Sequence, residues 1–296
     1  MSPKVSVLVP TYNPNPSHLK ECMESLLGQT FADFELIIVN DGSTSVNVKE
    51  IIDLYDDARI RYYENEKNFG ISATRNRLIQ LAAGEYLAVV DHDDISLPER
   101  LQLQAGYLDN NSEIGVVGAF IEEFPKKKIR TRPENNFEIE AYLMYTSAII
   151  HPVTMIRKSI LLENDVRYDS NFTPAEDYAL WCSLIGKTKF ANIPRVLLYY
   201  RVHGHNTTIV QSSRMRDSTL RIRREVRRNH PEIFAETRCS DVAVKKKYRL
   251  FKTITLLTVE IQENKKSYFL FGKILLLTLT TSVRTLVSRE GDFNLF

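Results

Sequence analysis

Three short apolar runs in the first third of the chain each stop abruptly in a polar cluster: "VSVLVPTYN" from Val5, "FELIIVNDGS" from Phe34 and "YLAVVDHDD" from Tyr86. Runs this short and this rich in Val, Ile and Leu read as strands covered on both faces. Helical periodicity fills the gaps. His18 to about Leu27 places Leu19, Met23, Leu26 and Leu27 on one face, with Ser17 as its expected cap. "VKEIIDLY" and "ISATRNRLIQLAAG" follow, the second with Gly84 as its expected stop, and "LPERLQLQAGYL" starts at Pro98. "RIRYYEN" and "IGVVGAF" are further strands. Strands alternating with helices of crossover length from residue 4 to about 120 predict an α/β fold on a mainly parallel, doubly wound, Rossmann-like sheet. Ligands of such sheets sit beyond the carboxyl ends of the strands. The polar clusters fall there.

The pattern then loosens. "EEFPKKKIRTRPENN" is charged, holds two prolines and reads as a loop. "VTMIR" is a short strand, "TPAEDYALWCSLIG" a helix and "RVLLYYRVH" an aromatic, β-branched strand. After "GHNTT" the chain becomes basic and helical, so two parts are expected: 1–210, the sheet domain, and 211–296, a basic helical C-terminal extension. A chain of 296 residues suits that division. The net charge of +2 hides the asymmetry: Arg214, Arg216, Arg221, Arg223 and Arg224 open a long basic stretch with few acids. Such a tail can lie on an anionic membrane, helped by the apolar stretch from Phe269 to Leu279, or form a solvated bundle. Cys22, Cys182 and Cys239 have no metal-ligand spacing and read as reduced thiols. The start does not resemble a secretory leader, and no run reaches the roughly 20 apolar residues of a spanning helix. The expected location is the cytoplasm, with contact to the inner membrane face as one reading of the tail.

The chemistry lies at the strand ends. Asp91 and Asp93 are two apart, so both side chains can face one way and need a cation or a proton to coexist. Hard oxygen ligands favour Mg²⁺ or Mn²⁺ with phosphate oxygens completing the shell. The alternative is a solvated acidic turn ahead of the Pro98 helix. Asp41 can accept a hydrogen bond from a nucleobase or ribose, or belong to an ordinary Asp-Gly turn. "KNFGISATRNR" adds Asn68, Gly70 and Arg75. Gly70 permits close backbone approach before a helix N-terminus, where anions are favoured. Arg75 can reach a phosphate, or pair with Asp41 or Asp91. Glu176 and Asp177 open a helix, where carboxylates are favoured electrostatically, or supply a general base. Neither GxGxxG nor GxxxxGK[ST] occurs.

Six stretches, "VSVLVPTYN", "FELIIVNDGST", "NFGISATRN", "YLAVVDHDDISLPERL", "AEDYALW" and "LLYYRVHGHNTT", stand in the order found in family 2 glycosyltransferases of the GT-A fold, which this chain resembles over roughly 4–210. The part from Ala175 to Thr208 is most similar to non-processive bacterial enzymes of lipooligosaccharide, O-antigen or capsule assembly. The resemblance implies inverting transfer of one hexosyl or N-acetylhexosaminyl group from a nucleotide diphosphate sugar, usually a UDP-sugar, to a hydroxyl of a glycan or lipid-linked glycan. It places Pro10, Thr11, Tyr12, Asp41, Asn68, Gly70, Arg75, Asp91, His92 and Asp93 around the nucleotide sugar. Asp91 and Asp93 match the DxD motif for Mn²⁺ or Mg²⁺, with Asp94 beside them and His203 near the metal or diphosphate. Asp177 matches the base, with Glu176 next to it. Two departures stand out. The second strand ends in Asn40-Asp41 where the family commonly has two acids, and no QxxRW follows, which argues for single-sugar transfer.

Two other classes compete. One is a nucleotide-sugar-binding module without transfer activity. The other is a nucleic-acid binder using arginines 214 to 228, which would leave the acidic strand ends unexplained; no nucleic-acid partner is expected.

Overall fold

The computed structural model describes residues 2–203 and 212–239 and, beyond them, four strand segments at 246–250, 254–262, 265–268 and 277–280. Two compact units divide the chain, Met1–His230 and Pro231–Phe296.

The first unit is built on a nine-stranded sheet. Its strands are β1 (Val5–Thr11), β2 (Phe34–Asn40), β3 (Ile60–Glu64), β4 (Tyr86–Val89), β5 (Ile95–Ser96), β6 (Ile114–Phe124), β7 (Lys128–Arg130), β8 (Met155–Arg157) and β9 (Lys189–Arg201). The order is β3-β2-β1-β4-β8-β6-β9-β5, with β7 on β6. β3, β2, β1 and β4 run parallel, as the alternation predicts, and β6 pairs parallel with β9. β8 lies between these two sets, antiparallel to both neighbours.

Every residue of β1 and β2 is buried, as expected for strands covered on both faces. Val5, Val7 and Val9 share one core with helices α1 (Pro16–Leu27), α2 (Val48–Ile52) and α4 (Arg100–Asn110) through Leu19, Met23, Ile51 and Leu101. The alternate residues Leu8, Ile37 and Leu87 are also buried, and α3 (Ile71–Leu81) lies against β1 and β2. Truncating a fully buried leucine such as Leu36 to alanine would cost about 2–5 kcal/mol.

Several local expectations are corrected. Asn15, not Ser17, caps α1: its Oδ1 accepts from Ser17 N at 2.9 Å, and the helix opens with Pro16. A residue before proline is held extended, which is the cap conformation. Gly84 does not end α3, which stops at Leu81; a Cβ at Gly84 would meet Ser6 N at 2.6 Å, so glycine serves a close approach to β1. α4 begins at Arg100, two residues after Pro98. The segment 122–136 is not one loop. β6 runs on to Phe124 and returns as β7, and α5 (Asn136–Leu143) follows. The strand was hidden because Glu123 points inward, buried and ion-paired with Arg130, which breaks the apolar alternation.

α6 (Lys158–Glu163) and α7 (Glu176–Ser183) complete the sheet domain, and α8 (Ser212–Asn229) packs on α7 through buried Ile222 and Val226. This first basic helix therefore belongs to the first unit, which reaches past residue 210.

The second unit comprises α9 (Pro231–Cys239) and the antiparallel strands β10 (Lys246–Leu250), β11 (Ile254–Gln262), β12 (Lys265–Tyr268) and β13 (Leu277–Thr280). Helix therefore covers the start of the expected helical extension, and strands follow. The Thr- and Ile-rich "TITLLTVEIQ" favours strand over helix. The apolar stretch Phe269–Leu279 lies outside the described residues apart from 277–279. Among the described residues no helix is long and apolar enough to cross a membrane.

Candidate active site

The loops after β1, β2 and β3 are tied to one another before any ligand is considered. Asn13, at φ 43°, accepts from Thr44 N and Ser45 N at 2.8 and 2.9 Å. Gly42, at φ 67°, lies so close to Lys67 that a Cβ would meet its backbone carbon at 2.6 Å. Asp41 is buried: one carboxylate oxygen accepts from Asn65 Nδ2 at 2.6 Å and Phe69 N at 2.9 Å, the other from Gly70 N at 2.9 Å. The carboxylate thus shapes the Asn65–Gly70 loop. Asn68, exposed, accepts from the same Gly70 N–H. Asn40 is likewise committed, bridging Tyr62, Glu64 and Ser43.

The acidic loop follows β4 and is held from three sides. His92 Nδ1 lies 3.2 Å from Pro10 O, which fastens it to the end of β1, near buried Thr11 and exposed Tyr12. Asp93 Oδ2 lies 2.7 Å from His203 Nε2, and its carbonyl accepts from Arg201 Nε at 2.8 Å. Asp94 is fully buried and its Oδ1 accepts from Arg201 N at 2.8 Å. Burial, then repulsion from Asp93 and Asp91, pushes its carboxyl well above the ordinary range. Asp94 therefore braces the loop against β9 from inside the protein. Asp91 and Asp93 keep part of their side chains exposed, 31% and 17%.

Arg75 answers a question the sequence left open. Its buried guanidinium pairs with Asp91 at 3.2 Å, not with Asp41, and also with Glu176 at 2.6 Å. It lies over the Tyr168 ring at 5.5 Å. Its neighbours on α3 anchor the same downstream segment: Asn76 exchanges two hydrogen bonds with the Tyr168 backbone, and Ser72 meets Thr173 at 3.0 Å. α3 is thus the rigid link between the acidic loop and the start of α7.

At that start the two acids differ. Glu176 is buried and paired with Arg75. Among the described residues Asp177 accepts one hydrogen bond, from Tyr178 N at 2.7 Å. Burial and the Glu176 charge push its carboxyl up to about 6, against the opposing pull of Arg75. That value suits a group that takes a proton near neutral pH.

Sequence reasoning missed four residues. Arg201 clamps Asp93 and Asp94 and pairs with Glu21 of α1. His18 stacks on His203, centroids 5.9 Å apart. Arg100 is fully buried, donating to Gln104, Ser96 and the carbonyl of Val89; burial lowers it to about 10, with Asp94 opposing. His151, buried against Tyr168 at 2.9 Å, is held neutral by burial and then by Arg75 and Arg100. Only Arg201 carried a signal, its position two before His203 at a strand end. Two clefts of about 380 and 580 Å³ flank Glu64, and neither is lined by Asp91, Asp93 or Asp177.

Among the described residues no three His, Cys, Asp or Glu side chains form a ready metal cage. The donors at this edge, the carboxylates of Asp91 and Asp93 and the imidazole of His203, are oxygen and nitrogen. They suit Mg²⁺ or Mn²⁺ whose remaining positions are filled by phosphate oxygens.

Known proteins share the family and the fold. The Glycosyl transferase family 2 model matches residues 6–165. An uncharacterized glycosyltransferase of Methanocaldococcus jannaschii is 36% identical over 213 residues, 68% of this chain and 71% of that one. The crystal structure of S. aureus TarS 1-349 in complex with UDP-GlcNAc superposes with a TM-score of 0.66 at 22% identity, covering 80% of this chain and 72% of that chain. The mannosyltransferase PcManGT from Pyrobaculum calidifontis, in complex with GDP-Man and Mn2+, gives 0.58 at 16% identity, with 80% and 74% covered. Parallel strands feeding acidic loops, a GT-A-like sheet and a matching family model lead to one conclusion: this chain is a glycosyltransferase and belongs to glycosyl transferase family 2.

Proposed function

We propose that the chain transfers one hexosyl or N-acetylhexosaminyl group, with inversion, from a nucleotide diphosphate sugar to an acceptor hydroxyl in surface glycan assembly. The observation that carries this reading is Arg75, which pairs with Asp91 on the donor side and Glu176 on the acceptor side while Asp177 stays outside both ion pairs. Asp177 takes the proton of the acceptor hydroxyl. The freed oxygen attacks the anomeric carbon from the face opposite the nucleotide, and the bonding pair of the breaking C–O bond leaves with the diphosphate. Asp91, Asp93 and His203 would hold Mg²⁺ or Mn²⁺, which when bound neutralises charge on the leaving diphosphate. Pro10, Thr11, Tyr12, Asp41, Asn68, Gly70 and His92 border the donor. UDP-GlcNAc in TarS favours a UDP-sugar donor here, and GDP-Man with Mn2+ in PcManGT supports the divalent cation.

Asp177→Asn tests the assignment. Transfer should fall about 10²–10⁴-fold, the usual worth of a positioned base, while calorimetric affinity for a UDP-sugar with Mn²⁺ stays within about twofold of wild type. Near-wild-type turnover would refute Asp177 as the base, whereas a wild type that binds the UDP-sugar and transfers nothing would leave the binding-module reading. The wild-type rate should decline as pH drops through about 6, where Asp177 becomes protonated.

A further inference from the structure

The β6–β7 hairpin has no part in the chemistry above. Every residue from Phe124 to Thr131 is exposed. Lys126, Lys127 and Lys128 follow one another through the turn, flanked by Phe124 and Ile129, 42% and 55% exposed. No acidic residue lies between Phe124 and Thr131, and among the described residues these lysines join no ion pair. Arg130 is already paired with Glu123. Lys127 sits at φ 53°, a conformation that glycine or asparagine adopts with less strain, so the turn keeps a charge at a conformational cost.

The base of the hairpin is fixed to the reaction edge. Val202 N donates to Phe124 O at 2.9 Å, and the Arg201 guanidinium lies over the Phe124 ring at 5.3 Å. The same arginine holds the backbone of Asp93 and, through its own N–H, the carboxylate of Asp94. The turn, residues 125–127, follows directly on Phe124, and the chain returns at once so that Lys128 pairs with Glu123.

We propose that this hairpin is a membrane-contact element, whose three lysines and flanking Phe124 and Ile129 seat the Asp93–His203 edge on an anionic bilayer surface. Ammonium groups are drawn to acidic headgroups, and exposed apolar side chains enter the interface beside them. Lysines alone would serve a soluble polyanion equally well; the apolar flanks favour a bilayer. If the transfer proposed above is correct, the acceptor is then a lipid-linked glycan met at that surface. The contact itself does not depend on that reading.

The test is co-sedimentation of the full chain with phosphatidylcholine vesicles, with and without phosphatidylglycerol. Wild type should bind only the anionic vesicles. K126S/K127S/K128S should lose roughly 100-fold in partition, about fivefold per lysine near an anionic leaflet, with unchanged melting and unchanged UDP-sugar affinity. Ile129→Ser should weaken binding severalfold. As a control, R216S/R224S/R228S removes exposed charge from α8 and should leave most of the binding. The proposal is overturned if wild type ignores anionic vesicles, if the triple-lysine variant binds like wild type, or if only the α8 variant loses binding. Vesicle binding retained without any sugar transfer would refute the proposed reaction and leave the hairpin's role standing.

Discussion

The acidic loop after β4 and the acid pair at the start of α7 both crowd carboxylates, and they resolve the crowding in opposite ways. In the loop each acid has its own partner: Asp91 has Arg75, Asp93 has His203, and Asp94 has the backbone of Arg201. At α7 one acid takes the cation. Glu176 pairs with Arg75, and Asp177 is left with a single backbone N–H. A partnered acid is held in place and serves as scaffold or ligand. An acid without a cation stays basic enough to move a proton.

Breaking the shared cation should have the largest effect on the fold. Arg75→Met leaves Glu176 buried without a counter-charge, and chemical denaturation should report a loss of about 3–5 kcal/mol. A smaller loss would mean that Glu176 is relieved by water or by protonation. Next is a gain. Asp177 has a folded value near 6, above the ordinary carboxylate value, so its ionised form opposes folding. Asp177→Asn should therefore be more stable than wild type by about 1–3 kcal/mol above pH 6. The advantage should shrink as pH falls and vanish near pH 4, where the unfolded carboxyl is also protonated. Melting curves at several pH values would show it, and a constant offset would exclude this origin. The smallest effect should come from Asp94→Asn. Its carbonyl oxygen can still accept from Arg201 N, so stability should change by less than about 1 kcal/mol. Mn²⁺-dependent donor binding, read by calorimetry, should persist. Loss of that binding would make Asp94 a metal ligand after all.

The central strands were legible because β1, β2 and β4 are buried on both faces and therefore apolar throughout. Their order along the chain also placed Asp41, Asp91 and Asp93 at one edge. Strand β6 was read short because Glu123 is buried by pairing with Arg130, a contact that no periodicity announces. Arg75 was recognised as a candidate cation, but its partners lie 16 and 101 positions away, and no local pattern ranks Asp91 and Glu176 above Asp41. Arg100 went unnoticed because a charged residue in a helix reads as exposed until its neighbours are known.

By itself the sequence determined the alternating architecture, the edge where chemistry can occur, and the residue types able to hold a nucleotide diphosphate or take a proton. Those follow from local burial periodicity and from the ionisable groups a short segment carries. Tertiary structure decided which acid is paired and which is left without a cation, because that depends on a single guanidinium placed by α3 between two distant loops. It also decided that Asp94 faces inward, and that three lysines stand on a hairpin rooted beside Asp93. Charge pairing and burial act through space, between groups whose separation along the chain carries no record of their contact.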